Sequence, residues 1–144
     1  MSDCSFCRIA RGEAERSVVY EDDAVVVIMD IQPVNPGHSL VLPRRHGALL
    51  ADLEEQTTAR LFVTAVHTAA ALRASPIQCE GVNLFVADGA AAGQEVDHVH
   101  VHVLPRFAGD PFRVSREGGP SKPQSRADLD ALADQLRGAW RSTR

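Results

Sequence analysis

Three histidines stand at alternate positions, His98, His100 and His102, with Val99, Val101 and Val103 between and after them. On an extended strand successive side chains point to opposite faces. The spacing therefore predicts three imidazoles on one face and three valines turned toward a core. Half of the chain's six histidines fall in this run, and three polar rings on an apolar strand are a poor way to fill space. Three chemistries suit such a run. The rings can form a solvated sheet face. An H-x-H pair can hold zinc, although Asp97 precedes the run, so the dinuclear pattern H-x-H-x-D-H is absent. Third, a neutral imidazole whose one nitrogen is kept protonated has a lone pair free at the other to attack phosphorus. Neighbouring histidines would then donate to the phosphoryl oxygens and protonate the departing group. Just upstream, Gly93-Gln94 supplies a loop whose backbone N–H groups can approach an anion closely.

A second pattern is Cys4-x-x-Cys7. Alone it fits metal ligation and redox use about equally well. Redox use of the thioredoxin kind expects the pair after a strand and at the start of a helix in a βαβ unit, which fits poorly here. Cys79 beside Glu80 reads as an ordinary small residue. Three cysteines make no disulfide framework, and His67 reads as a helix-surface residue.

These residues need elements to hold them. Short runs rich in Val, Ile and Leu predict strands over Ser17–Tyr20, Ala24–Asp30, His38–Pro43, Gly81–Val86 and Val96–Pro105. Asp22-Asp23 is a tight connection between the first two. Ile31-Gln-Pro-Val-Asn-Pro-Gly37 and Asp88-Gly-Ala-Ala-Ala-Gly93 are loops. Asp52 with Glu55 resembles a capping box that opens a helix continuing to Pro76. Ser125-x-x-Asp128 opens a last helix with Leu129, Leu132, Ala133 and Leu136 on one face and Trp140 near its end as an anchor. Strands, helix, strands, helix is the order of an α+β domain on an antiparallel sheet.

With 144 residues, one domain spanning 1–144 is expected, able to bury roughly two-thirds of its unfolded surface. Its core would cover 4–110, and a C-terminal helix near 126–139 would follow a flexible 115–124 segment. A net charge of −4 argues against binding nucleic acid or anionic membrane, while leaving room for one nucleotide. No apolar run reaches membrane-spanning length and the N-terminus lacks a signal-peptide core. A cytoplasmic, reducing compartment is the expectation.

Several ordered landmarks bear a family resemblance. They are Cys4-Ser-Phe-Cys-Arg-Ile, Tyr20-Glu-Asp-Asp, Asp30-Ile-Gln-Pro-Val-Asn-Pro-Gly-His38, Leu42-Pro-Arg-Arg-His46, Asp88-Gly-x-x-x-Gly-Gln94 and His98-Val-His-Val-His-Val-Leu-Pro-Arg106. Over nearly its whole length the chain resembles the histidine-triad (HIT) proteins. The resemblance implies a five-stranded antiparallel sheet flanked by helices and a two-fold homodimer. It implies hydrolysis or transfer at the α-phosphorus of purine nucleotide phosphoramidates, anhydrides or dinucleoside polyphosphates. His100 would be the nucleophile, forming a nucleotidyl-histidine. His102 would contact the phosphate and help the leaving group depart, and the His98 carbonyl would orient His100. His38 would buttress the site. Asp30 would bind the ribose hydroxyls, Phe6, Ile9, Ile28 and Ile31 would wall the base, and Gly93, Gln94 and Glu95 would form the phosphate loop. Members with the Cys pair bind structural zinc, which implies Cys4, Cys7, His46 and His98 as ligands. Two positions depart from the family pattern: Ala87 stands where an amide is common, and Glu95 where Ser or Thr is. A carboxylate beside a phosphate repels it, so a nucleotide sensor with little turnover is the alternative to an enzyme. A metallohydrolase using the three histidines as ligands is a third.

Overall fold

Residues 4–114 and 122–143 are described by the computed structural model. The strands that the period-two runs predict all form, as β1 (Val18–Glu21), β2 (Val25–Met29), β3 (Ser39–Pro43), β4 (Gly81–Phe85) and β5 (Val101–Arg106). They make one five-stranded antiparallel sheet in the order β1-β2-β3-β5-β4. The β1–β2 turn is fixed by Asp22, whose Oδ1 accepts from the amides of Ala24 and Val25 at 2.8 and 2.9 Å. Three helices form: α1 (Ser5–Arg11) and α2 (Glu55–Ala74), which pack on the sheet, and α3 (Arg126–Trp140).

Alternation along the central strands sorts the core into two layers. Val25, Val27, Val41, Val99, Val101 and Val103 pack with Leu61, Ala65, Ala69 and Leu72 of α2. Val26, Ile28, Leu40 and Leu42 face the other way, onto Ala10, Phe6 and Ile9 of α1. Leu40 lies opposite His102 in the β3–β5 ladder, and cross-strand partners share a face. The histidines therefore lie on the α1 side of the sheet.

Two local expectations are corrected. The helix does not start at a box formed by Asp52 and Glu55: α2 begins at Glu55 with Glu54 as an uncapped N-cap. Asp52 instead ends a short 3-10 turn and accepts from the Leu49 amide at 2.8 Å. The last strand enters the ladder at Val101 rather than Val96. Before Val101 the backbone bonds elsewhere: the Val99 amide donates to the Gly47 carbonyl at 2.8 Å, while Pro43 has no N–H to offer and its carbonyl accepts from the His98 ring at 2.9 Å.

By residue contacts the chain divides between Phe112 and Arg113. The second unit holds α3, capped by the Ser125 hydroxyl, which accepts from the Asp128 amide at 3.1 Å. Of the segment expected to be flexible, residues 115–121 lie outside the described residues. No helix is long and apolar enough to cross a membrane among the described residues.

Candidate functional site

His98 and His100 are each held by a backbone carbonyl and His102 by the His38 ring, and those partners decide which nitrogen carries a proton. The carbonyl of His98 can only accept, so His100, 2.7 Å away, donates from Nδ1. The Nε2 lone pair of His100 is left free. His98 donates from Nε2 to the Pro43 carbonyl, which leaves its Nδ1 lone pair facing Cys4 Sγ and Cys7 Sγ, each at 3.5 Å. The Val34 amide donates to His38 Nδ1 at 3.1 Å. Neutral His38 then carries its proton on Nε2, which lies 2.9 Å from His102 Nδ1 and 3.4 Å from Asp30 Oδ2. His102, accepting at Nδ1, carries its proton on Nε2. One free lone pair at His100 thus stands beside one N–H donor at His102, with ring centres 4.9 Å apart.

Burial favours the neutral form of His102, His38 and His98. His102 is pushed down to about 4, chiefly by burial and then by the proximity of His100 and His38. Burial likewise lowers His38, opposed by Asp30, and His98.

A cavity of about 780 Å³ has His100 and His102 in its wall. It is lined by Phe6, Ile9, Ile28, Asp30, Ile31, Glu95, His100 and His102 among the residues that the sequence singled out. The Phe6 ring meets His100 edge-on at 5.0 Å. His38 and His98 stand behind the lining. Gly93 and Gln94 do not line it. The Gln94 amide is consumed internally, accepting from the Gly89 amide at 2.7 Å and donating to the carbonyls of Ala48 (2.7 Å) and Val96 (2.9 Å), so it shapes the loop.

Sequence reasoning missed several lining residues, namely Glu15, Arg16, Ser17, Met29, Leu40 and Val96. It also missed Phe85, stacked on His102 at 4.3 Å. The β4–β5 register, which sets Phe85 opposite His102, was the signal available for it. Nor was α1 expected. Arg8 and Arg11 in its last turn and Gly12 at its C-cap, with φ 77°, were its available signs. Arg44 and Arg45 are not aimed at a ligand: Arg44 bonds the Ala10 and Asp22 carbonyls and Glu21, and Arg45 pairs with Glu54.

Among the described residues, two groups of donors come within 4.8 Å of one another. Cys4, Cys7, His46 and His98 fit zinc. A tetrahedral ion with ordinary Zn–S and Zn–N bonds sets sulfur and nitrogen about 3.5 Å apart. The His98 Nδ1 distances are 3.5 Å, and His46 Nδ1 to Cys7 Sγ is 3.4 Å. The Cys pair does open a helix, with Cys4 as N-cap, yet within an antiparallel fold rather than a βαβ unit. The other group, Asp30, His38 and His102, does not fit. A metal on His38 Nε2 would leave that ring without a proton while its Nδ1 still accepts from Val34. This group is a hydrogen-bond chain.

The HIT domain model matches residues 11–109. An uncharacterised HIT-like protein from Borreliella burgdorferi is 40% identical over 117 residues, 81% of this chain and 84% of its own length. An adenylylsulfatase from Arabidopsis thaliana is 36% identical over 135 residues, 94% of this chain and 66% of the plant protein. A zinc-bound histidine triad family protein from Mycobacterium smegmatis superposes with a TM-score of 0.75 at 36% identity, covering 95% of this chain and 97% of the other.

Proposed function

Because this chain belongs to the histidine-triad (HIT) family, we propose that it is a nucleotide hydrolase or nucleotidyltransferase working through a nucleotidyl-histidine on His100. Its substrates are purine nucleotide phosphoramidates, anhydrides or dinucleoside polyphosphates. The observation that carries this is the His100 Nδ1–H donated to the His98 carbonyl at 2.7 Å, in a ring that lines the cavity. That bond fixes the lone pair on Nε2, where a nucleophile needs it.

In the first step His100 Nε2 bonds to the α-phosphorus and the bond from phosphorus to the leaving group breaks. His102 donates Nε2–H as a hydrogen bond to the phosphoryl oxygens and to the departing atom, which leaves with the bonding pair and takes its proton from water. In the second step water bonds to phosphorus and gives up a proton to solvent, the P–N bond breaks with its electron pair returning to His100 Nε2, and a nucleoside monophosphate leaves. Asp30 Oδ1 is occupied by the Gln32 amide at 2.8 Å, so the ribose hydroxyls bond its other oxygen. Phe6, Ile9, Ile28 and Ile31 receive the base. Zinc, when bound, supplies a closed structural tie through Cys4, Cys7, His46 and His98, with no open position for chemistry. The described cysteines are thiols rather than disulfides, which suits a reducing, cytoplasmic compartment, and the active form in this reading is a homodimer.

Replacing His100 by Ala should lower hydrolysis of adenosine phosphoramidate, adenylyl sulfate and a diadenosine polyphosphate by roughly a thousandfold or more. AMP affinity by calorimetry should stay within about threefold, since the nucleophile contributes little to ground-state binding. Mass spectrometry of the quenched wild-type reaction should place the nucleotide on His100. Hydrolysis unchanged in the variant would overturn the mechanism. Glu95, which lines the cavity, favours one other reading, a nucleotide sensor. AMP binding by the wild type without turnover of the whole panel would establish it.

A further inference from the structure

The thiol cluster and the nucleotide cavity share a helix and are joined by His98, whose carbonyl holds the cavity-lining His100. We infer that Cys4 and Cys7 are positioning residues for the nucleotide as well as metal ligands, so that zinc and nucleotide each tighten the binding of the other. This rests on the nucleotide-binding reading above.

The first link is α1. At seven residues it is far below the roughly 12–15 at which an isolated helix becomes marginal, so its place depends on what fastens each end. Its C-terminal end is fastened without metal, by the Arg44 guanidinium on the Ala10 carbonyl. Its first turn begins at Cys4, an N-cap with no side-chain cap, and carries both thiols. Phe6 stands between them, edge-on to His100 at 5.0 Å and to His98 at 6.0 Å, and Ile9 follows one turn later. Phe6 and Ile9 line the cavity. Two of the four metal ligands and two of the residues that wall the base site are therefore set by the same two turns.

The second link is His98. Its Nδ1 lies 3.5 Å from both sulfurs, its Nε2–H is tied to Pro43 and its carbonyl receives the His100 Nδ1–H. A ligand that fills the metal position holds the residue whose carbonyl sets the nucleophile. Loss of zinc releases the first turn of α1 and one side of the His98 ring. The nucleotide must then order Phe6 from its own binding energy, which weakens its hold. Linkage makes the effect reciprocal: whatever factor zinc lends to nucleotide affinity, nucleotide lends to zinc affinity.

The test measures zinc affinity of the full-length protein against a chromophoric chelator, with and without saturating AMP. AMP should tighten zinc by about tenfold, and zinc should tighten AMP, measured by calorimetry on loaded and stripped protein, by the same factor. Phe6→Ala keeps all four ligands. At its own saturating AMP the factor should fall toward one. Equal zinc affinities with and without AMP would overturn the inference. So would a full factor persisting in Phe6→Ala, because the coupling would then run through folding as a whole, which circular dichroism of the stripped protein would register. AMP binding with unmoved zinc affinity removes only this inference. Failure of AMP to bind the zinc-loaded protein removes the nucleotide reading with it.

Discussion

At the scale of single residues, burial disfavours charge on His38, His98 and His102. His102 shows the consequence most directly. Its proton affinity falls from an unfolded value near 6.5 to about 4, first through burial and then through His100 and His38. Between those values the unfolded chain binds the proton and the folded chain does not, so acid favours unfolding across that window. The contribution is complete above about pH 6.5, drains away toward pH 4 and changes no further below it. A fully shielded ring with this shift would be worth roughly 3 kcal/mol, and solvent screening of a half-buried one leaves about 1–2 kcal/mol. Urea unfolding at pH 7.5, 5.5 and 4.5 should therefore show the wild type losing about 1–2 kcal/mol more than His102→Gln. Acid also displaces zinc from thiolates, but equally in both proteins, so the difference isolates the ring. Equal losses would mean that His102 does not resist the proton. Glu95 makes the opposite point, because a carboxylate lining an anion's cavity opposes binding by a charge readable in the sequence alone.

At the scale of elements, the sheet was legible because its signal is periodic. Val99, Val101 and Val103 against His98, His100 and His102 announce two faces, and the core keeps them apart. What stayed hidden depends on partners distant in sequence. Two turns are too few to show a period, so α1 was overlooked although it carries the Cys pair and part of the cavity wall. The late start of β5 goes with the Val99 amide bonding the Gly47 carbonyl, a distant partner that strand patterns do not encode. The loop from Ile31 to Gly37 was read correctly as a loop, yet its job lies in one amide. Val34 fixes the His38 proton, and the neighbouring Asn35, 3% exposed, pins the loop to β5. Asn35 Nδ2 donates to the Pro105 carbonyl and to Asp110 Oδ2, both at 3.0 Å, and Arg106 grips Asp110 at 2.7 and 2.9 Å. That grip holds the Asp110 carboxyl well below its usual range. Asn35→Ala should cost about 1–3 kcal/mol of stability. By letting His38 drift from His102 it should also lower kcat between about 10- and 100-fold, with KM changing less. Nitrogen-15 spectra should show His102 Nδ1 as an unprotonated acceptor in the wild type and averaged in the variant. An unaltered His102 spectrum, or a loss confined to KM, would reduce Asn35 to scaffold.

At the scale of the whole molecule, the proposed homodimer needs a surface, and the two edges of the sheet differ in what they offer. An open strand edge is a template for pairing, and proteins guard the edges they mean to keep free with charge, bulges or proline. The β1 edge carries such guards: its register to β2 slips between Val18 and Tyr20, and Glu21 is paired with Arg16 and Arg44. The β4 edge, Gly81-Val-Asn-Leu-Phe85, has neither charge nor proline and pairs with β5 in unbroken register. Its Leu84 and Phe85 remain 37% and 41% exposed. On α2, Phe62, Val63 and Val66 are also turned outward, at 40%, 46% and 57% exposure, and apolar side chains grouped this way on a helix mark an association surface. A two-fold contact through β4 and α2 closes on itself and needs only one self-complementary patch. Sedimentation at tens of micromolar should thus give twice the 15.6 kDa chain mass. Phe62→Glu with Val66→Glu should give the single-chain mass without loss of secondary structure, because neither position is buried. A wild type that sediments as one chain, or a doubly substituted protein that still sediments as two, would remove this face from consideration.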